Sequence, residues 1–126
     1  MFAFDKAELT PVGTERIENA IEQLRQAGVT GVTSMTIIGH TDPLGSPAYN
    51  LQLSAERASA VRDYLVSRGI PRNITTIEGR GESQLKVTEA DCRAQGQATP
   101  RSALIACLAP NRRVEIQATA VQVPPQ

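Results

Sequence analysis

The stretch NLQLSAERASAVRDYL, residues 50–65, has the apolar spacing of a helix that buries one face. The apolar positions are Leu53, Ala60, Val61, Tyr64 and Leu65. Arg57 lies inside this stripe, about 40° from Leu53 around the helix axis, and Asn50 lies on the same side two turns earlier. A guanidinium at such a position either extends to the edge of the packing face or faces a pocket. The sequence therefore predicts a packed helix that carries polar groups on its packed side.

Signals on both sides of this stretch set the ends of the helix. Ser46 and Pro47 are residue types typical of an N-cap and of a first helical position. The helix is expected to run to about Arg68, with Gly69 closing it. The segment TDPLGSPAYN, residues 41–50, has the composition of a loop that feeds the helix.

An earlier helix is predicted from the same kinds of signal. Thr10 is the expected N-cap, Pro11 the first helical residue and Gly28 the stop. The apolar stripe of this helix is Ile17, Ile21 and Leu24. A third, short helical turn is predicted for RSALIACL, residues 101–108, after an irregular stretch over residues 80–100.

Four segments are predicted to form strands, and together with the helices they set the fold class. The segments are MFAFDKAEL (1–9), VTSMTIIGH (32–40), NITTIEG (73–79) and RRVEIQATAV (112–121). The order β-α-β-α-β-(short helix)-β indicates an α/β (α+β) two-layer sandwich with a mixed sheet and helices on one face. We expect one domain over residues 1–126, with a flexible tail over about 118–126.

Composition excludes several classes of function. The 13 basic residues balance the 13 acidic ones, so the chain lacks the positive field of a nucleic-acid-binding protein. Only 3% of residues are aromatic, which disfavours a site that stacks sugars or bases. No apolar stretch approaches the roughly 20 residues that span a bilayer. From the residues alone we expect either a cytosolic protein or an excised piece that begins at an added Met1.

Catalytic and metal sites are poorly supported. His40 and Asp42 lie two residues apart, but no Gly-x-Ser-x-Gly motif presents a nucleophile beside them. One histidine and two cysteines match no zinc spacing, and we expect His40 to be a structural hydrogen-bonding residue. We predict neither an enzyme nor a cofactor.

A binding pocket is the better prediction for the end of the sheet. The loop after the second predicted strand carries Asp42, and the helix that follows it carries Asn50 and Arg57. The sequence NRR, residues 111–113, enters the last strand and adds a cation to the same end. Carboxylate, amide and guanidinium together suit a zwitterion, a ligand with an ammonium and a carboxylate on one carbon.

Several of these segments, in order, resemble a known family. GHTDPLGSPAYNLQLSAERASAVRDYL (39–65), GIP (69–71), GRGES (79–83) and NRRVEI (111–116) are similar to the C-terminal peptidoglycan-binding domain of the OmpA-like (OmpA/MotB) family. The cysteines that flank RAQGQATPRSALIA (93–106) resemble its porin-associated outer-membrane branch. The resemblance covers about residues 2–116.

The resemblance implies a ligand and a role for each site residue. It implies that Asp42 binds the ammonium and Arg57 the carboxylate of meso-diaminopimelate in the peptide stem of peptidoglycan, with Asn50 assisting. The other site positions that match the family are Arg112, Thr41 and Leu44. We expect Asp42 to compensate the charge of Arg57 when the pocket is empty.

The resemblance also implies a setting for the domain. We expect a periplasmic, non-enzymatic anchor between the cell wall and an outer-membrane barrel or porin, with no nucleic-acid partner. The alternatives are a periplasmic protein–protein interaction module and a cell-wall hydrolase. A disulfide between Cys92 and Cys107 is expected, and its loss should leave binding intact because the pocket is expected to lie elsewhere.

Overall fold

Seven regular elements make up the main architecture of the computed structural model, which describes residues 2–26 and 29–122. In chain order they are α1 (Pro11–Gln26), β1 (Val29–Gly39), α2 (Pro47–Ser67), β2 (Thr75–Gly79), α3 (Glu89–Ala94), α4 (Arg101–Cys107) and β3 (Val114–Gln122). Short 3-10 turns precede β2 and β3, at Arg72–Ile74 and Ala109–Asn111.

The three strands form one mixed sheet in the order β2-β1-β3. In the central strand, Ile37 pairs with Ile77 of the parallel strand β2 and with Ile116 of the antiparallel strand β3. A mixed sheet combined with helices confirms the predicted α/β fold class.

The predicted first strand, residues 1–9, is wrong. Phe2 makes a single isolated bridge with Leu9, and no strand forms between them. The backbone turns instead: the amide of Lys6 donates to the carbonyl of Ala3 at 3.2 Å, and Asp5 has a left-handed φ of 58°. An extended strand is incompatible with that turn, so residues 2–9, hereafter the N-terminal segment, fold back over the sheet end.

Both long helices begin where the sequence predicts. The Thr10 hydroxyl accepts from the amide of Gly13 at 3.1 Å, and the Ser46 hydroxyl accepts from the amide of Tyr49 at 3.1 Å. Gly69 follows α2 with a φ of 100°, as expected of a helix stop. Gly28, the predicted stop of α1, and the side chain of Leu24 lie outside the described residues. None of the helices described here has the length and apolar character needed to cross a bilayer.

The C-terminal half differs from prediction at two places. β3 continues to Gln122, so residues 118–122 belong to a strand and not to the expected tail; residues 123–126 lie outside the described part. The stretch expected to be irregular contains α3, which begins with a capping box: Thr88 and Asp91 each bind the other's backbone amide. The predicted helical turn at 101–108 is confirmed as α4.

The hydrophobic core lies between the sheet, α1 and α2, and is closed by Phe2 and the partly buried Leu9 of the N-terminal segment. Its buried members are Phe2, Ile17, Met35, Ile37, Ala58, Val61, Leu65 and Val114. Gly39 and Gly79 end β1 and β2 directly beneath α2, where a Cβ on either would lie within 3 Å of the helix. The absence of side chains at these glycines brings the middle of α2 close to the strand ends.

We predict that Gly39→Ala strongly destabilises the fold. The added Cβ would lie 1.8 Å from the carbonyl oxygen of Ser54, a backbone atom that cannot move without displacing α2. Overpacking of this kind costs about 1–3 kcal/mol, or more where backbone must shift. Urea denaturation gives the free energy of unfolding.

Gly31→Ala, on the same strand, is the matched control. Its Cβ would meet nothing within 4 Å, so the free energy of unfolding should change by less than about 1 kcal/mol. Equal midpoints for the two variants would contradict the proposed contact between Gly39 and α2.

Candidate ligand-binding site

A cavity of about 380 Å³ opens where the loop after β1 meets α2 and the N-terminal segment. It is lined by Phe4, Asp5, Thr41, Asp42, Leu44, Gly45, Tyr49, Asn50, Leu53, Arg57 and Arg101. Five of the six predicted ligand-binding residues therefore line one cavity. The sixth, Arg112, lies behind it.

Arg57 is buried, with a relative exposure of 1%, so its head group does not extend to the surface of the helix. Its guanidinium donates to three backbone carbonyls: Lys6 at 2.8 Å, His40 at 3.0 Å and Ala3 at 3.2 Å. The guanidinium also lies 5.3 Å from the centre of the Phe2 ring. These contacts tie the N-terminal segment to the end of β1 through one side chain of α2.

Arg57 keeps its charge at neutral pH. Burial lowers the pKa of its guanidinium to about 10, against the opposing attraction of the Asp42 carboxylate. Three of the five N–H donors of a guanidinium are engaged here by carbonyls, which leaves two for a ligand.

The direct ion-pair partner of Asp42 is Arg112, while the expected compensation of Arg57 by Asp42 is an attraction without a hydrogen bond between them. Asp42 is 3% exposed, and its Oδ2 accepts from Nη1 of Arg112 at 3.0 Å. Arg112 also donates to the carbonyls of Phe2, at 3.1 Å, and Ile105, at 3.0 Å. The three bonds that Arg57 makes are to carbonyls, and the carboxylate pairs with the second buried guanidinium.

The loop between β1 and α2 is held by its own polar side chains. Oδ1 of Asp42 accepts from the amide of Leu44 at 3.0 Å, a turn typical of aspartate. The side-chain amide of Asn50 donates to the carbonyl of Leu44 at 3.0 Å and to that of Asp42 at 3.4 Å. The predicted amide of the site thus fixes the shape of the loop.

Thr41 contributes a polar group with no partner among the residues that the structure describes. Its hydroxyl is buried in the wall of the cavity and makes no hydrogen bond there. Its amide donates to the carbonyl of Gly81 at 2.9 Å, which fixes the backbone. Buried hydroxyls are nearly always paired, so an unpaired one is exceptional.

His40 is fully buried behind the cavity and does not line it. Its Nε2 lies 3.4 Å from a carboxylate oxygen of Glu115, and neither ring nitrogen makes a hydrogen bond to a described residue. The sequence predicts that His40 is a structural hydrogen-bonding residue, and its hydrogen bonds to described residues come from its backbone alone. Its amide donates to the carbonyl of Arg113, and its carbonyl accepts from the guanidinium of Arg57. Burial lowers the pKa of His40, with Arg113 reinforcing and Glu115 opposing the shift.

Sequence reasoning missed the part of the cavity wall that comes from distant segments. Asp5 and Tyr49 both line the cavity, and the tyrosine hydroxyl donates to the carboxylate. Phe4 lies beneath the guanidinium of Arg101, 5.9 Å from it. No local motif marks these residues, because they come from the N-terminal segment, α2 and α4 and meet only in the folded domain.

The disulfide between Cys92 and Cys107 is confirmed, with Cα atoms 6.0 Å apart. It joins α3 to the end of α4, the helix that places Arg101 at the cavity and Ile105 against Arg112. Neither cysteine lines the cavity, but the disulfide holds the helix whose first residue does.

Comparison with known proteins identifies the domain. The profile of the OmpA family matches residues 1–99, which include the loop after β1 and all of α2. The chain belongs to the OmpA family. The cavity of this OmpA-family domain is completed by Arg101, which lies beyond the matched segment.

Relatives of this OmpA-family chain extend over nearly all of it. An outer membrane protein A from Shimwellia blattae is 43% identical over 121 residues, which are 96% of this chain and 48% of that protein. The chain spans between about a third and a half of the length of the curated relatives it matches.

Solved structures share the fold. The peptidoglycan-associated lipoprotein of Burkholderia pseudomallei superposes with a TM-score of 0.63 at 21% identity, covering 94% of this chain and 86% of that one. The cell wall anchor of the T6SS from Pseudomonas aeruginosa superposes with a TM-score of 0.59 at 27% identity, covering 96% of this chain and 76% of that one.

We predict that Asp42 and Arg112 are strongly coupled in stability. Removing either partner alone, by Asp42→Asn or Arg112→Met, leaves the other charge buried and should cost about 3–5 kcal/mol. The double variant should be less destabilised than the sum of the two, by about 1–3 kcal/mol. Urea denaturation of the four proteins measures the coupling, and strict additivity would contradict a direct pair.

We predict that His40 makes the fold less stable in mild acid. Its lowered pKa means that the unfolded chain binds more protons than the folded one below the ordinary value of 6.5. Stability should therefore fall as pH drops from about 7 to about 5, by at most about 1.4 kcal/mol per pH unit for one proton.

His40→Gln should flatten this slope, whatever its effect on stability at pH 7. His40 is the chain's one histidine, and the pKa values of Glu78 and Glu115 nearby are lowered by Arg80 and Arg113, so these carboxylates titrate at more acidic pH. Parallel slopes in the variant and the parent protein would show that His40 takes up no extra proton on unfolding.

Proposed function

We propose that this domain binds peptidoglycan non-covalently, holding the diaminopimelate of the peptide stem, and so anchors the outer membrane to the cell wall. The observation that carries the proposal is one cavity lined by a buried carboxylate, Asp42, and a buried guanidinium, Arg57. Both charges are held by bonds within the domain before any ligand arrives.

The distal end of diaminopimelate offers the complementary charges. Its ammonium and carboxylate share one carbon, so they can approach Asp42 and Arg57 together. The carboxylate would accept from the two guanidinium N–H groups that the carbonyls leave over, and the ammonium would donate to a free lone pair of Asp42.

The residues around the cavity hold its wall in a fixed shape, which would orient a bound ligand. Asn50 and the turn at Leu44 fix the loop, so little conformational freedom is lost when the ligand binds. His40 lies behind the wall at 0% exposure, so it offers no general base to a bound stem. The site supports binding without covalent chemistry.

The family relationship supports the cellular setting. The relatives include outer membrane proteins A, and the 27% identical structural neighbour is a cell wall anchor. We place the domain in the periplasm, with an outer-membrane barrel or porin as partner. A disulfide near the site suits that oxidising compartment.

We predict that the domain binds a diaminopimelate tripeptide about ten- to a hundredfold more tightly than the matching lysine tripeptide. Lysine keeps the ammonium but lacks the carboxylate, so the free donors of Arg57 stay unpaired at a cost of about 1.5–3 kcal/mol. Calorimetric titration measures both affinities, and equal values would contradict the proposed role of Arg57.

Asp42→Asn should weaken binding of the diaminopimelate tripeptide by a similar factor. Asp63→Asn is the matched control, because Asp63 is an exposed carboxylate of α2 that pairs with Arg72 away from the cavity. Because Asp42→Asn also leaves Arg112 unpaired and destabilises the fold, its binding is titrated only under conditions in which circular dichroism shows the variant to be folded. Replacement of Arg57 would in addition free the N-terminal segment. Co-sedimentation with purified sacculi extends the test to the intact wall, where failure of the parent protein to pellet would favour a protein–protein interaction module.

A further inference from the structure

Arg101 is an exposed guanidinium in the wall of the cavity that the proposed contacts to diaminopimelate leave unused. Within the part of the chain that the structure describes, it makes no hydrogen bond or ion pair, and its recorded contact is with the ring of Phe4. By contrast, the carboxylate of Asp5 is already bound by the hydroxyl of Tyr49.

The position of Arg101 is set by bonded and packed neighbours. It is the first residue of α4, whose last residue, Cys107, is joined by the disulfide to α3. In the same helix, the carbonyl of Ile105 accepts from Arg112, which in turn holds Asp42. Arg101 is therefore connected through short, rigid links to the carboxylate at the centre of the site.

The charges that face the cavity show what Arg101 can bind. A zwitterion satisfies Asp42 and Arg57, one charge each, and Asp5 has its tyrosine partner. Arg101 remains as the cation of the cavity wall that has no hydrogen-bond partner among the described residues, and its planar donor fork suits a carboxylate. A ligand with one more carboxylate than a simple zwitterion would complete the site.

We propose that Arg101 binds the second carboxylate of diaminopimelate, the one on its in-chain carbon. This inference rests on the proposed function. That carboxylate is free only where the stem ends at diaminopimelate, because a following residue converts it to an amide. Arg101 thereby makes the domain selective for stems that end at this residue.

The test compares two tripeptides that differ at that group alone, one with a free terminal carboxylate and one with a carboxamide, on the full, disulfide-intact chain. The parent protein should bind the free acid about three- to tenfold more tightly, an effect between that of an exposed ion pair and that of a buried one. Arg101→Gln should lose most of this preference and bind both peptides like the carboxamide. Since Arg101 is exposed, the preference should also shrink in high salt.

Arg93→Gln is the matched control. It removes an exposed arginine from the same disulfide-closed segment, on α3 and outside the cavity, so the preference should persist. Equal binding of the two peptides by the parent protein, or an unchanged preference in Arg101→Gln, would overturn the assignment while leaving the proposed function in place. Binding of neither peptide by the parent protein would overturn the proposed function itself.

Discussion

The three hydrogen bonds from Arg57 to the carbonyls of Ala3, Lys6 and His40 are the constraint on which the rest of the site depends. A buried guanidinium without acceptors is too costly to keep, so the chain must bring carbonyls to it. The N-terminal segment meets that need by turning back over the sheet end instead of adding a fourth strand. The same turn supplies one wall of the cavity.

A second guanidinium extends this arrangement toward the C-terminal half. Arg112 holds the carboxylate of Asp42 and the carbonyls of Phe2 and Ile105, so residues from both ends of the chain meet around one charge. Each buried charge is thus fixed by bonds that exist without a ligand. The groups that stabilise the fold are thus also the groups that face the cavity.

Local patterns predicted most of the fold and the centre of the site. The caps at Thr10 and Ser46, the alternation along β3 and the inward position of Arg57 each depend on neighbours in sequence, so they could be read directly. The pairing of Asp42 with Arg112 instead depends on tertiary approach. The same is true of Arg101, which no local motif marks. The strand expected at residues 1–9 does not form. The buried guanidinium of Arg57 requires carbonyl acceptors from this segment, and that requirement outweighs the local alternation of Phe2 and Phe4.

The placement of β1 between β2 and β3 has a consequence for the order of folding. The residues that pair between β1 and β3 are far apart in the sequence: Val29 pairs with Gln122, and Gly39 pairs with Val114. During synthesis the central strand can therefore gain its parallel neighbour β2 well before its antiparallel one. Such non-local pairing carries a large loop-closure entropy and is characteristic of slowly folding domains. Until β3 docks, one edge of the central strand stays open, and a nascent chain in that state is exposed to edge-to-edge association.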